Sequence, residues 1–542
     1  MNWKIRRAVF SLSDRTGVLP LARALHDHGC ELIATGGTGR DLEAGGLPTT
    51  PIAAITGNPE AFGGRMKTLS FPFESALLYD RERDAQEATS LGIQPIDMVV
   101  CNLYPFAEHR DAGADMATLI EDVDIGGPTM LRSAAKNYRY VAVVCDPEDY
   151  APLVAELEQN NGALTLDTRE RLMRKAFNHT ADYDAMIAQT MDRRSGSPSL
   201  RLSFTAGRSL NGGENDHQRG WVFRSTAAGP SLADAPLLSG RPLSYNNYVD
   251  VLGAVEAVRD LGRAGCAVIK HTNPCGLCES DDQRRAADLA WAGDPVSAFG
   301  SVVAFNRPLT RHAAEFLALD AADRRRRKFV VAVVAPEFEP SALEYLQQKE
   351  SLRVLRFDAK QLRPEREYRV LANTCLMQEP DTALFEKLNL AISGPTKPDL
   401  APDGPFSRLL AFGLHAVRQV KSNAVVIVQA TDTGDLQLLG MGAGQPNRVV
   451  STQLALDRAR ATLAARATAA TDVEDIVRRG LANALLVSEA FFPFPDSVDV
   501  AAQAGVQTIV QPGGSIRDEQ VFARCSELGV TMLTTGMRHF KH

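Results

Sequence analysis

Lys270-His271-Thr272-Asn273-Pro274-Cys275-Gly276 is the densest run of reactive side chains in the sequence, and it follows directly on an apolar stretch, Cys266-Ala267-Val268-Ile269. A basic amine beside an imidazole at a strand terminus can divide the labour of acyl transfer. One group takes a proton from the attacking nitrogen, and the other stabilises or protonates what leaves. The plainer reading is a turn in which Asn273-Pro274 ends the strand and His271 is merely exposed. A rival chemistry shares the stretch, because Pro274-Cys275-Gly276-Leu277-Cys278 has half the pattern of a zinc deaminase site. That site also needs an upstream His-x-Glu, and no histidine of this chain is followed by Glu at that spacing, so no zinc is expected.

A second set of motifs lies toward the N-terminus. Ser11-Leu12-Ser13-Asp14-Arg15-Thr16-Gly17 places hydroxyls, backbone N–H groups and a cation at a helix start, which suits a phosphate; ordinary capping by Ser13 or Asp14 explains it equally well. Thr35-Gly36-Gly37-Thr38 and Gly63-Gly64-Arg65-Met66-Lys67-Thr68 add two further Gly/Thr loops, one with cations, and tip the balance toward anion binding. Asp124-Ile125-Gly126-Gly127-Pro128, with Lys136-Asn137 downstream, supplies a carboxylate and an ammonium near a tight turn. Each also reads as a surface charge. Tyr104 beside Asn102 reads either as a site hydroxyl or as a packed aromatic.

These groups need elements to hold them. Ala8-Val9-Phe10 reads as a strand, Val18 to His28 as a helix with Pro20 early and Gly29 as its stop, and Glu31 to Ala34 as the next strand. Met98-Val99-Val100 and Val141 to Val144 again end in polar loops, the second in Cys145-Asp146-Pro147. Polar loops at the carboxyl ends of successive strands describe an open parallel sheet, so the first ~190 residues read as one doubly wound α/β domain. A helix is expected near Arg169 to Met191. Asp192 to Gly220 is rich in Gly, Ser, Asn and Arg without apolar periodicity and reads as a linker. Beyond it, strands at Cys266 to Ile269, Ser301 to Phe305, Phe329 to Val334, Ala424 to Val428 and Thr508 to Val510 alternate with helices over a length that suggests two α/β lobes.

At 542 residues the chain is too long for a single core. A net charge of -7 gives no electrostatic case for nucleic-acid or anionic-membrane binding. No apolar run approaches the ~18 residues of a membrane span, and the N-terminus lacks a signal-peptide pattern, so the expected location is cytoplasmic. Eight scattered cysteines argue for reduced thiols over a disulfide framework.

Over nearly its whole length the sequence resembles the bifunctional purine-biosynthesis enzymes that join aminoimidazole carboxamide ribonucleotide (AICAR) transformylase to inosine monophosphate (IMP) cyclohydrolase. The matching stretches are Ser11 to Gly17, Thr35 to Thr38, Gly64 to Leu69, Cys101 to Phe106, Asp124 to Asn137, Lys270 to Gly276, Gly293 to Gly300, Leu439 to Arg448, Phe491 to Phe494 and Gln511 to Asp518. The resemblance implies an α/β protein with an N-terminal methylglyoxal-synthase-like doubly wound domain (1–191), a linker (192–220) and a two-lobed cytidine-deaminase-like transformylase region (221–542). It implies a homodimer with formyltransferase sites at the subunit interface, small-molecule substrates, and 10-formyltetrahydrofolate as formyl donor. Carried over by motif, His271 is the base that deprotonates the amine, Lys270 tunes it and assists the departing folate nitrogen, and Asn423 holds the formyl oxygen or the adjacent carboxamide. Gly300, Arg448, Phe491 and Arg538 fall where the family contacts its ribotide. In the front half, Lys67, Tyr104, Asp124 and Lys136 match the catalytic group. Ser13, Asp14, Arg15, Thr35, Gly36, Gly37, Thr38, Arg65, Thr68, Cys101, Asn102, Ile125 and Gly126 match the nucleotide cradle.

The departures are specific. An Arg-Tyr pair of the family reads Asn211-Gly212, an acidic position reads Val331, the Arg after Phe-Phe-Pro-Phe reads Pro495, and His-Pro-Lys-Val-His-Gly-Gly reads Ser70-Phe71-Pro72-Phe73-Glu74-Ser75-Ala76. A Lys of the first loop has become Arg15, which keeps charge but changes geometry. The expected function is formyl transfer from 10-formyltetrahydrofolate to an amine, AICAR in the family, with ring closure to IMP by the front domain. A paralogue that formylates another amine in a specialised pathway is the alternative these departures suggest. A non-catalytic nucleotide- or folate-binding protein is a third reading, against which the intact Lys270-His271 and Asn423 argue.

Overall fold

Parallel strands covered on both faces must be apolar throughout, and the front unit shows why its strands were readable. The computed structural model describes residues 2–59, 61–62, 65–196, 199–226, 229–394, 398–468 and 472–542; Gly63 and Gly64 of the third front loop lie outside them. The chain divides into two units, Met1–Ser203 and Phe204–His542. In the front unit, β1 (Arg7–Ser11), β2 (Glu31–Ala34), β3 (Thr50–Pro51), β4 (Met98–Cys101) and β5 (Ala142–Val144) form an all-parallel sheet in the order β3-β2-β1-β4-β5. Around it lie α1 (Val18–Asp27), α2 (Gly36–Ala44), α3 (Gly126–Lys136), α4 (Tyr150–Gln159) and α5 (Leu166–Ser195). Helix α1 buries Val18, Leu21, Ala22 and Leu25, the i, i+3, i+4, i+7 stripe of a helix on a sheet. The strand order reverses between β1 and β4, so the loops after these two strands flank the crevice where such sheets bind ligands.

Two local expectations change. Thr35-Gly36-Gly37-Thr38, expected as a loop, is the N-cap and first turn of α2. The stretch expected as a linker is largely ordered: Asp192–Ser195 end α5, and Phe204–Leu210 pairs antiparallel with Gly220–Ser225. Most of that hairpin is exposed, so it has no buried face to impose an alternating pattern on the sequence.

The back unit is built on one sheet of twelve strands. They are β6 (Leu237–Ser239), β7 (Ala264–Lys270), β8 (Asn273–Ser280), β9 (Ser301–Phe305), β10 (Val330–Ala335), β11 (Arg353–Arg356), β12 (Asn389–Ile392), β13 (Val425–Ala430), β14 (Leu436–Gly442), β15 (Leu485–Ser488), β16 (Thr508–Gln511) and β17 (Thr531–Thr534). Their order is β6-β11-β10-β9-β7-β8-β14-β13-β15-β16-β17-β12. Taken from each edge inward, the same topology occurs twice: an antiparallel edge strand, three parallel strands, then an antiparallel hairpin. Each hairpin is preceded by a helix, α6 (Tyr245–Arg259) or α8 (Pro405–Arg418), and followed by one, α7 (Gln283–Ala292) or α9 (Arg448–Ala464). The two lobes join where β8 and β14 pair antiparallel, Cys278 opposite Gln437 and Glu279 opposite Leu436.

Glycine permits each hairpin to touch its following helix. A Cβ on Gly276 would lie 1.6 Å from the Ala290 carbonyl oxygen, and one on Gly440 2.3 Å from that of Ala455. Because β8 and β14 run in opposite directions, the β7–β8 turn of one lobe falls beside the start of β13 and the end of β14 of the other. Among the described residues no helix is long and apolar enough to cross a membrane.

Candidate active site

In the back unit Lys270 pairs with Asn273 across a two-residue turn, with His271 at φ 53° and Thr272 at φ 63°. Asn273-Pro274 therefore begins β8 instead of ending β7. Two successive positive φ values are the geometry whose twist suits a tight hairpin, and Asn and Gly are its usual occupants. His and especially β-branched Thr sit there at a cost on the order of 1–3 kcal/mol each. The surroundings over-determine the turn. The Thr272 N–H donates to Asp250 Oδ1 at 2.8 Å, and the Thr272 hydroxyl and Asn273 Nδ2 donate to the His271 carbonyl at 2.6 and 3.0 Å. From the other lobe the Lys421 N–H donates to Asn273 Oδ1 at 3.2 Å. The imidazole of His271 stands exposed at the tip, while Lys270 Nζ donates to the Phe299 carbonyl at 2.8 Å, next to Gly300.

Across the junction, the segment entering β13 carries Asn423, whose peptide bond to Ser422 is cis. Its side-chain Nδ2 donates to the Gln445 carbonyl at 2.8 Å, and its Oδ1 accepts from Arg448 Nη2 at 2.7 Å. Arg448, at the start of α9, is buried; its Nη2 also donates to Glu489 Oε1 at 2.8 Å and its Nη1 to the Ser488 hydroxyl at 2.9 Å. Glu489 is fully buried at the end of β15. It accepts a second hydrogen bond, at 3.0 Å, from the Ser422 hydroxyl. Burial raises its carboxyl, against the pull of the Arg448 guanidinium. The C-terminal segment closes this corner. The His539 N–H donates to the Glu489 carbonyl, the Ser422 N–H to that of Lys541, and Lys541 Nζ to Glu256 Oε2 on α6 at 3.1 Å.

The structure thus brings Lys270, His271, Asn423 and Arg448 to one end of the two central hairpins, with Gly300 beside the Lys270 partner Phe299. Phe491, two residues beyond Glu489, and Arg538, next to His539, are both exposed. Arg448, expected at the ribotide, spends both terminal nitrogens on protein partners. Sequence reasoning missed Glu489, Asp250 and Phe299. The available signal for Glu489 was an acidic residue at the carboxyl end of the apolar run Leu485–Ser488. Cys275 and Cys278 lie buried in β8, and burial pushes the Cys275 thiol up to about 12 and Cys278 above its ordinary value. Among the described residues no group of three or more His, Cys, Asp or Glu side chains is placed to hold a metal ion.

In the front unit the crevice between β1 and β4 is bridged by Asn102. Its Oδ1 accepts from the N–H groups of Ser13 and Asp14 at 2.7 and 3.2 Å, and its Nδ2 donates to the Asp14 carbonyl at 2.6 Å. Helix α2 starts at Thr35 without a side-chain cap, and the Arg15 guanidinium, held by Asp41 at 3.0 Å, lies so close that a Cβ on Gly37 would be 2.6 Å from it. A cation over an uncapped helix start is suited to an anion. Thr38 is buried, its hydroxyl bound to Leu12, and Arg65 pairs with Glu121.

Asp124 sits at the foot of α3, its Oδ1 accepting from Gly127 N at 2.8 Å. Burial raises its carboxyl, while the N–H groups of Gly127, Tyr104 and Gly126 and the charge of Lys67 pull it down. Thr68 packs against Gly126, where a Cβ would be 2.7 Å from its hydroxyl. Tyr104 and Ile125 are exposed and Cys101 is buried. Asp124, Lys67, Tyr104, Thr68 and Gly126 therefore gather together. Lys136 does not join them, because it is the exposed last residue of α3, roughly 15 Å along the axis from Gly126 at ~1.5 Å per residue.

The sequence profile of the family described as AICARFT/IMPCHase bienzyme matches residues 134–458, and that of the MGS-like domain matches residues 17–129. The chain is 38% identical over 550 residues to the bifunctional purine biosynthesis protein PurH of Persephonella marina, covering 99% of this chain and 100% of that one. It is 40% identical to the PurH proteins of Acidithiobacillus ferrooxidans, over 551 residues, and Xanthomonas campestris pv. campestris, over 552, covering 99% of each chain. A solved structure described as the crystal structure of ForH is 38% identical, covers 34% of this chain and 98% of its own, and has a TM-score of 0.32.

Proposed function

The chain belongs to the AICARFT/IMPCHase bienzyme family, and from that premise we propose which of its residues carry the two reactions. It is a bifunctional purine biosynthesis enzyme, an AICAR formyltransferase joined to an IMP cyclohydrolase; neither the other-acceptor reading nor the non-catalytic one is favoured by relatives that match over 99% of the chain.

Formyl transfer is placed at the β7–β8 turn. The observation that carries this is the junction of the lobes, where the strained His271 tip and the Asn423 amide are tied into one corner by the Lys421–Asn273 hydrogen bond. The formyl donor is 10-formyltetrahydrofolate. His271 takes the proton from the ring amine of AICAR as its nitrogen attacks the formyl carbon. Asn423 donates to the formyl oxygen as charge builds there, and Lys270 supports protonation of the departing folate nitrogen, whose bond to the formyl carbon breaks. Gly300, Phe491 and Arg538 surround the ribotide. In the front unit the Arg15–α2 start receives the nucleotide phosphate, and Ser13, Asp14, Asn102, Arg65 and Thr68 belong to the rest of the nucleotide cradle. Asp124, Lys67 and Tyr104 move the protons that ring closure and loss of water require. The working form is a pair of chains: Glu367–Leu371 and Thr374–Gln378 form an exposed hairpin with Tyr368, Val370, Cys375 and Met377 on one side, an apolar face that a second copy would cover.

Separating the activities tests this. His271→Ala should lower AICAR formylation by about 10²–10⁴-fold and leave the closure of pre-formed formyl-AICAR unchanged, and Asp124→Ala should do the reverse. A His271→Ala enzyme that formylates AICAR at the natural rate removes the assignment.

A further inference from the structure

We propose that Glu489 is a positioning residue for formyl transfer, acting through Arg448 to fix which end of the Asn423 amide faces the substrate. The inference rests on the reading of Asn423 as a donor to the formyl oxygen. The two ends of a carboxamide have nearly the same shape, so its orientation is decided by its neighbours. Arg448 carries only donors, and its Nη2, at 2.7 Å, obliges Asn423 to turn its oxygen inward. The Nδ2 group is then directed to the Gln445 carbonyl at 2.8 Å, with its second N–H left for a ligand. Were the amide reversed, the site would meet an acceptor instead of a donor, and the developing negative charge would be repelled.

Arg448 holds that pose because Glu489 Oε1, at 2.8 Å, and the Ser488 hydroxyl, at 2.9 Å, fix its other bonds. Glu489 cannot meet substrate itself. It is 0% exposed, its backbone is pinned to Ala424 and His539, and the Ser422 hydroxyl donates to the same carboxyl oxygen that Arg448 uses. Its other oxygen, Oε2, is buried with no hydrogen-bond partner among the described residues. A buried carboxyl with an unmade hydrogen bond is costly to the fold, and an apolar or amide side chain of similar size would cost less. What the carboxylate adds over these is a charged, directional partner for the guanidinium.

A double-mutant cycle on the full-length protein separates this role from simple structural support. Glu489→Gln keeps the shape and removes the charge. It should lower kcat for AICAR formylation about tenfold or more while KM for AICAR changes by less than about threefold, the signature of an interaction felt in the transition state. In an Asn423→Ala background the same substitution should cost no more than about twofold, because its target is gone. Glu489→Asp, which keeps the charge, should fall between Glu489→Gln and the natural chain, and it replaces Glu489→Gln in the cycle if the latter fails to fold. Equal losses in both backgrounds, or a Glu489→Gln enzyme of natural kcat, would overturn the proposal while leaving the role of Asn423 intact. A fully active Asn423→Ala enzyme would overturn both.

Discussion

His271 and Thr272 pay for their left-handed backbone in different currencies. His is among the residues that visit this region, whereas a β-branched Thr strains the turn and turns its hydroxyl back to the His271 carbonyl. Thr272→Asn keeps a polar residue and tolerates φ 63°, so it should raise the stability of the back unit by about 1 kcal/mol in urea unfolding and leave formylation within about threefold. A drop in stability would mean that the Thr272 hydroxyl bond to the His271 carbonyl outweighs the strain. The place of this corner was legible where its residues are adjacent in sequence, as Lys270 and His271 are. It was not legible where a residue works by contact at a distance. Glu489 is 41 positions from Arg448 and 66 from Asn423 in the sequence, and only β13, β15 and α9 packing together make them neighbours. Arg448 shows the converse, since a cation in a matching motif was expected at the ribotide and its donors turn inward instead.

At the level of elements, each central hairpin depends on a close approach to the helix that follows it. Gly276→Ala would drive a Cβ into the Ala290 carbonyl and should cost at least about 3 kcal/mol, measured as loss of soluble protein or of unfolding midpoint. Gly262→Ala, at a position with no atoms within 4 Å, should be neutral within about 0.5 kcal/mol. Helix α8 is fastened to α6 by His415, whose Nδ1 accepts from Arg418 at 3.2 Å and whose Nε2 donates to the Ala257 carbonyl at 2.8 Å. That arrangement needs a neutral imidazole, and burial pushes His415 down to about 4. The stability this provides is fully present above the ordinary imidazole value of about 6.5. It is lost as pH falls toward 4, on the order of 3 kcal/mol across that interval. Urea unfolding at pH 7 and 4.5 should show the loss, and His415→Gln should flatten it.

The strands of both units were readable because burial on two faces makes them continuous apolar runs. The exposed hairpin at 204–225 was not; the two lobes of the back unit were expected from length and resemblance, but their matching strand order was not visible, because they share an order of elements and a few close-packed glycines but little sequence repeat. On the scale of the whole molecule, the sheet of the front unit and the fused lobes of the back unit each end in a cluster of polar groups at a point that topology alone selects: the reversal of strand order in one, the antiparallel β8–β14 seam in the other. One chain accordingly presents two chemistries in sequence, transfer of a formyl group and closure of the product.

The resemblance is what assigns the departures Asn211-Gly212, Val331 and Pro495 to the acceptor shell; in the structure Gly212 holds φ 94° just after the exposed strand. Restoring the cation at the first of them, Asn211→Arg, should lower KM for AICAR by about tenfold, the worth of one charge-assisted contact; an unchanged KM would place position 211 outside the acceptor shell.

The central claim is most directly tested by incubating the purified full-length protein with AICAR and 10-formyltetrahydrofolate and following IMP. The account predicts IMP formation at ordinary enzymatic rates, lost on His271→Ala and restored when formyl-AICAR is supplied to that variant. Absence of any AICAR turnover by the natural chain, with a His271-dependent formylation of some other amine, would contradict it.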